Sequence, residues 1–148
     1  MIGIGEKIPA FSVVGVKPKF HFHEENGQSA FETLTEASFP GKWKVVFFYP
    51  KDFTFVCPTE IAEFARLASE FADSNGSLVD GLGVRSPDGV AYRVTVVVDP
   101  SNVVQHIYAT NLNVGRAPKD TLRVLDALQT DELCACGREV GGATLKVA

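Results

Sequence analysis

Pro50-Lys51-Asp52-Phe53-Thr54-Phe55-Val56-Cys57-Pro58-Thr59-Glu60 is the stretch whose reading decides the fold. It follows an apolar run, Val45-Val46-Phe47-Phe48-Tyr49, that is short, aromatic and β-branched and so reads as a buried strand over 44–49. It leads into Ile61 to Phe71, where Ile61, Phe64, Ala65, Ala68 and Phe71 recur at the spacing of one apolar helix face. Pro58 suits the first turn of that helix, where its missing N–H costs nothing. Cys57 is thereby predicted where free backbone N–H groups and the positive end of a helix dipole converge. Such a place favours thiolate over thiol, and the thiolate is the nucleophile. Thr54, three residues upstream, can set a hydroxyl beside the sulfur.

Most free cysteines are small buried hydrophobes, and Cys57 taken alone reads equally well that way. Its context changes the balance. The pattern Pro-x-x-x-Thr-x-x-Cys, filled here by Pro50, Thr54 and Cys57, closely resembles the active-site signature of the peroxiredoxin family. The resemblance implies that Cys57 is the peroxidatic cysteine, attacking the terminal oxygen of a hydroperoxide. It also implies a thioredoxin-like α/β fold, a central mixed sheet flanked by helices.

The chain as a whole sets bounds on this reading. Its 148 residues amount to a single domain, 1–148, long enough to bury a core. Hydrophobic content of 45% with 22% charged residues argues against disorder. A net charge of −4, with Lys and Arg scattered, gives no electrostatic footprint for nucleic acid or an anionic membrane. No apolar run approaches the ~20 residues that span a bilayer, and no basic region precedes an apolar one at the N-terminus. Three cysteines without a secretion signal point to thiol chemistry in the cytoplasm rather than to a disulfide scaffold.

Along the chain, Phe11 to Val16 carries a weak strand signal. Glu24 to Ser38 reads as a polar segment broken by Asn26-Gly27. His21 and His23 share one face of an extended stretch, but two histidines do not make a metal site, and a solvated loop is the better reading. Phe39 to Trp43 is a turn, with Trp43 a core or interface anchor. Asp73 to Gly89 is turn-rich, and its glycines at 81 and 83 lack the strand and helix of a dinucleotide fingerprint. Tyr92 to Val98 is a strong strand, Asp99-Pro100-Ser101-Asn102 a type I turn, and Val103 to Ala109 the returning arm of a hairpin with His106 in a structural place. Pro118 opens an amphipathic helix through Leu122, Leu125 and Leu128 to Gln129. A strand, a helix, a hairpin and a closing helix form the same thioredoxin-like pattern.

A lone arginine before a helix is usually a solvated residue. Gly115-Arg116 ahead of Leu122-Arg123-Val124-Leu125-Asp126-Ala127-Leu128-Gln129, however, matches the place of the peroxiredoxin active-site arginine. A guanidinium near Cys57 would favour its thiolate, bond the peroxide oxygens in fork geometry and stabilise charge as the O–O bond breaks. Glu60 resembles the family's supporting carboxylate that holds an arginine, although a simple helix-N-terminal carboxylate fits it equally. In the tail, about 130–148, Cys134-Ala135-Cys136 lacks the second pair a zinc site needs. A sulfenic acid on Cys57 needs a second thiol to condense with. The tail resembles alkyl hydroperoxide reductase C proteins of the 2-Cys type, which implies Cys134 as resolving cysteine on a partner subunit's Cys57. Cys136 would then relay the disulfide to an external dithiol protein, thioredoxin-like or a dedicated Cys-x-x-Cys partner.

The resemblance covers roughly residues 1–73 and 89–137. Between them the family carries a further strand–helix unit, about 50 residues in all, and a parallel crossover alone needs a dozen or more. Without it, an exposed apolar edge at Val45 to Tyr49 and an uncovered sheet face are expected, with lowered stability and impaired turnover. The leading function is a thiol peroxidase for hydrogen peroxide and organic hydroperoxides, using no metal, haem or flavin and working as a homodimer that assembles into a ring. The alternatives are a non-catalytic truncated relative acting as an oligomeric holdase or structural subunit, and a zinc module built on Cys134, Cys136 and histidines.

Overall fold

A computed structural model of the chain describes residues 1–17, 24–50 and 77–146. These form, in order, β1 (Ser12–Val16), β2 (Glu24–Glu25), β3 (Gln28–Ser29), β4 (Phe31–Thr35), β5 (Lys44–Phe47), α1 (Ser77–Gly81), β6 (Arg93–Val98), β7 (Val104–Thr110) and α2 (Pro118–Gln129). The helix expected over Ile61–Phe71, with Thr54, Cys57 and Glu60, and the histidines at 21 and 23 lie outside the described residues.

Strand β6 is the centre. It pairs antiparallel with β5 on one side and β7 on the other, with Phe47 opposite Thr95 and Thr95 opposite Tyr108. Its run of valines is buried along its whole length, which is why it reads as a continuous apolar stretch rather than an alternating one. Alternation still sorts its side chains. Val94, Val96 and Val98 join the main core with Ile8, Val13, Leu34, Phe48, Leu78, Leu82, Val84 and Val104. Arg93, Thr95 and Val97 point to the other face.

The expected turn at 99–102 forms as read. Asn102 N–H donates to Asp99 carbonyl at 3.0 Å, and the Asp99 carboxylate accepts from Ser101 and Val103 N–H groups at 2.8 and 2.9 Å. Asn102 takes the left-handed conformation (φ 65°) that returns the chain into β7, with the register slipping at Val97/Val98. Asparagine tolerates that conformation better than other residues with a Cβ.

The polar segment 24–38 holds strands that its sequence reading did not assign: Asn26-Gly27, both at positive φ (52° and 73°), close a small β2–β3 hairpin, and β4 pairs with β1 from Phe31↔Val16 to Thr35↔Ser12. The sequence hid β4 because only Leu34 of Phe-Glu-Thr-Leu-Thr is buried, so its apolar signal is a single residue. The join between the halves is likewise not merely turns. Within 77–89 the chain folds into α1 and a tight return, Ser86 to Gly89, and sends Leu78, Val79, Leu82 and Val84 into the core. Leu82 and Val84 are fully buried and belong to the same cluster as Val94, Val96 and Val98, so the sheet face expected to be bare is covered there. The edge expectation stands in part. β5 has β6 on one side and, among the described residues, no strand on the other, while its side chains are half-buried rather than exposed.

Candidate active site

Arg116 is one of three buried arginines among the described residues, with Arg93 and Arg138. It ends the loop between β7 and α2, immediately before Ala117 and Pro118, the first residue of α2. Its residue surface is only 5% exposed. The guanidinium Nη1 donates to Thr95 Oγ1 at 3.1 Å, and its central carbon lies 5.8 Å from the Phe47 ring centroid. Because Phe47 and Thr95 are cross-strand partners, the cation sits on one register line of the sheet. Burying a guanidinium is unfavourable unless it is bonded and paired, so this placement is specific rather than incidental.

The loop is itself fastened. Arg93, 3% exposed and on the same strand face as Thr95, donates from Nε to the Leu112 carbonyl at 2.8 Å. Val114 N–H closes a turn onto Asn111, and Thr110 Oγ1 bonds the Val114 carbonyl. Strand β6 therefore sets the loop through Arg93 and the cation through Thr95. Sequence reading singled out Arg116 and did not single out Thr95 or Arg93. The available signal was a polar alternation, Arg-x-Thr, inside a run of valines.

Phe47, beneath the cation, ends β5. From there Phe48, buried and bonded from its N–H to the Val94 carbonyl at 2.7 Å, and Tyr49, with its ring 6.2 Å from that of Phe47, carry the chain to Pro50. Pro50 is half-buried and opens the stretch that bears Thr54 and Cys57. The structure thus brings Arg116 to the strand end from which the signature departs.

The other two thiols are elsewhere. Arg116 precedes the first residue of α2, and Cys134 follows its last turn, so the helix, about 18 Å long at 1.5 Å per residue, separates them. Cys134 is half-buried and lines a groove of about 610 Å³ with Trp43, Asp99, Gln105 and Arg123. Its sulfur lies 3.6 Å from Thr130 Oγ1 and 3.8 Å from the Ala127 carbonyl. Cys136 is exposed. Trp43 is half-buried at this groove. His106 stays within β7, where burial, then the nearby Arg123 charge, hold its pKa below 6.5. Among the described residues, no three His, Cys, Asp or Glu side chains gather as a metal-holding group, and no helix is long and apolar enough to cross a membrane.

Similarity to known proteins bears on this arrangement. The AhpC/TSA family model matches residues 4–79. Alkyl hydroperoxide reductase C of Mycobacterium tuberculosis is 38% identical over 183 aligned positions, covering 98% of this chain and 94% of that protein. A thioredoxin peroxidase of Trypanosoma brucei rhodesiense is 33% identical, covering 87% and 88%. The solved structure of Mycobacterium tuberculosis AhpC superposes with a TM-score of 0.80 at 38% identity, covering 91% of this chain and 97% of that one. The 183-position alignment can draw at most 148 positions from this chain, so at least 35 positions of that relative have no counterpart here. The family match ends at 79, within the stretch where the sequence reading placed its missing unit. With the fold matched along nearly its whole length and the signature in place after β5, the chain belongs to the AhpC/TSA family of peroxiredoxins, thiol-dependent peroxidases of thioredoxin-like fold.

Proposed function

We propose that this protein reduces hydrogen peroxide and organic hydroperoxides through Cys57, with Arg116 as the cation of the site. The observation that carries the reading is the buried guanidinium, held on Thr95 and over Phe47 at the strand end that runs into Pro50. The Cys57 thiolate attacks the terminal peroxide oxygen. The O–O bond breaks, the leaving alkoxide or hydroxide takes a proton, and the sulfur becomes a sulfenic acid. Arg116 stabilises the charge that develops on the departing oxygen. Thr54 and Pro50 shape the pocket, and Glu60 supports the arginine.

Cys134 then condenses with the sulfenic acid, forming a disulfide and releasing water. The length of α2 between Arg116 and Cys134 supports resolution across two subunits of a homodimer, which would associate further into a ring. The exposed Cys136 passes the disulfide to an external dithiol protein, which restores the thiols. A reducing cytoplasm suits such a cycle. The test is peroxide consumption with a small dithiol as reductant. Loss of activity in Cys57→Ser, and a Cys57–Cys134 intersubunit disulfide by mass spectrometry in the wild type, are expected. Full activity in Cys57→Ser would overturn the reading.

A further inference from the structure

The sheet face that seats Arg116 also carries a titratable ring, and it lies under the helix that Arg116 leads into. Thr95 and Val97 share one face of β6, and their cross-strand partners on β7, Tyr108 and His106, point the same way. Arg116 bonds Thr95 on that face, and α2 begins two residues later at Pro118. His106 is half-buried there, opposite the fully buried Val97. Arg123, in the second turn of α2, is close enough for its charge to act on the ring. The helix therefore runs from the Thr95–Tyr108 line across the Val97–His106 line. Beyond them its later residues, Ala127 and Leu128, share a groove with Asp99 and Gln105 at the β6–β7 turn.

The surroundings of this imidazole suit its neutral form. On β6 it meets Val97, and the next strand on that register line presents Val45. Of the charges on α2, Lys119, Asp120, Arg123 and Asp126, Arg123 is the one that acts on it. Asp99, at the turn, already accepts from the Ser101 and Val103 N–H groups and from Gln105 Nε2. Among the described residues, an imidazolium here would thus meet valines and a second cation. Burial and that cation already hold the pKa of His106 below 6.5. Linkage runs both ways: a helix docked over the ring opposes the proton, and the proton opposes the docked helix.

We propose that His106 is an acid switch on the active site: its protonation repels Arg123, lifts α2 from β7 and draws Arg116 off Thr95. The proton comes from solvent, and no other group changes its state. The inference rests on the reading of Arg116 as the cation of the site. Its mechanical link is short, because Arg116 and Pro118 are separated by Ala117 alone and proline fixes the backbone angle at which the helix starts. A displaced first turn therefore moves the guanidinium with it.

The test is stopped-flow oxidation of the reduced full chain by stoichiometric hydrogen peroxide, from about pH 8 to about pH 5, the range in which histidine changes charge. His106→Gln cannot gain the proton, so its profile shows the loss caused by titration of the Cys57 thiolate alone. Wild type should match it at high pH and lose a further factor of about ten to a hundred in acid, the scale on which misplaced groups lose rate. His106→Phe, which fills the same place without titrating, should follow His106→Gln, and Arg123→Gln should shrink the extra loss. Amide protection over 115–121, corrected for the intrinsic effect of pH, should fall in acid in wild type and hold in His106→Gln. Coincident wild-type and His106→Gln profiles, or protection that acid leaves unchanged, overturn the inference. Arg116→Met separates the two layers. If it oxidises Cys57 at the wild-type rate at high pH, the reading of Arg116 fails and the switch falls with it. If it is slow while the wild-type and His106→Gln profiles coincide, the switch alone fails.

Discussion

Thr95→Val tests whether the sheet, rather than the loop, aims the cation proposed for the active site. Valine matches threonine in shape, so the substitution removes one hydroxyl from a fully buried position and little else. That hydroxyl accepts from the Arg116 guanidinium at 3.1 Å. A bond to a charged donor contributes about 1.5–3 kcal/mol. For a domain of this size, a loss of about 2 kcal/mol lowers Tm by about 4–8 °C. The Phe47 face, worth about 0.5–2 kcal/mol as a cation–π partner, still holds the guanidinium, so it loosens without leaving. Cys57 oxidation by stoichiometric peroxide should therefore slow about tenfold, corresponding to about 1.4 kcal/mol. Arg116→Met, which removes the cation, should cost about 10²–10³. Stopped-flow kinetics on the two single variants and the double variant read the coupling directly. In the Arg116→Met background, Thr95→Val should have almost no further effect on rate. A tenfold loss that persists in that background, or no loss in the Arg116 background, would refute the reasoning.

Three further outcomes follow from the described residues. Leu82→Ala should destabilise by about 2–5 kcal/mol in urea titration, because Leu82 is fully buried against the sheet; a loss under about 0.5 kcal/mol would mean that the α1 segment does not cover that face. His106 has a pKa lowered by burial and by Arg123, so its neutral form is favoured by folding; stability should be full above pH 6.5 and fall as the pH drops from there towards the folded pKa. A pH–stability profile that His106→Gln leaves unchanged would contradict this. For Asp99, burial pushes the carboxyl up, but bonds from Val103, Gln105 and Ser101 and the Lys44 charge outweigh it, and its pKa lies below 3.8. Its contribution should hold above that pH and fade as acid carries the protein through the lower folded pKa. Asp99→Ala should loosen the β6–β7 turn, seen as faster amide exchange at Ser101 and Val103.

What the sequence made legible, and what it hid, has a physical pattern. The valines of β6, the aspartate–proline turn and the proline-initiated α2 announced themselves because burial, turn geometry and helix initiation each leave local marks. Strand β4 left almost none, since one buried leucine and an otherwise wet face carry no period. The short α1 hid among glycines because its apolar residues, Leu78 and Val79, with Leu82 just after it, look like punctuation until Val94 and Val96 are seen in the same cluster. At the proposed site, Arg116 was singled out by its motif. Thr95 and Arg93 were not, because partners that meet through sheet register are distant in sequence: Thr95 stands opposite Phe47 and beside a residue that follows it by a whole strand and loop.

The central claim is that this chain, despite lacking at least 35 positions of its tuberculosis relative, assembles a site that activates Cys57. The most direct measurement is the second-order rate of Cys57 oxidation in the reduced protein at stoichiometric hydrogen peroxide. Trp43 fluorescence would follow it in real time, and mass spectrometry would identify the oxidised sulfur among the three cysteines. The account predicts oxidation selective for Cys57, orders of magnitude faster than that of a free thiol and dependent on Arg116. Oxidation no faster than that of free cysteine, or spread evenly over Cys57, Cys134 and Cys136, would contradict it.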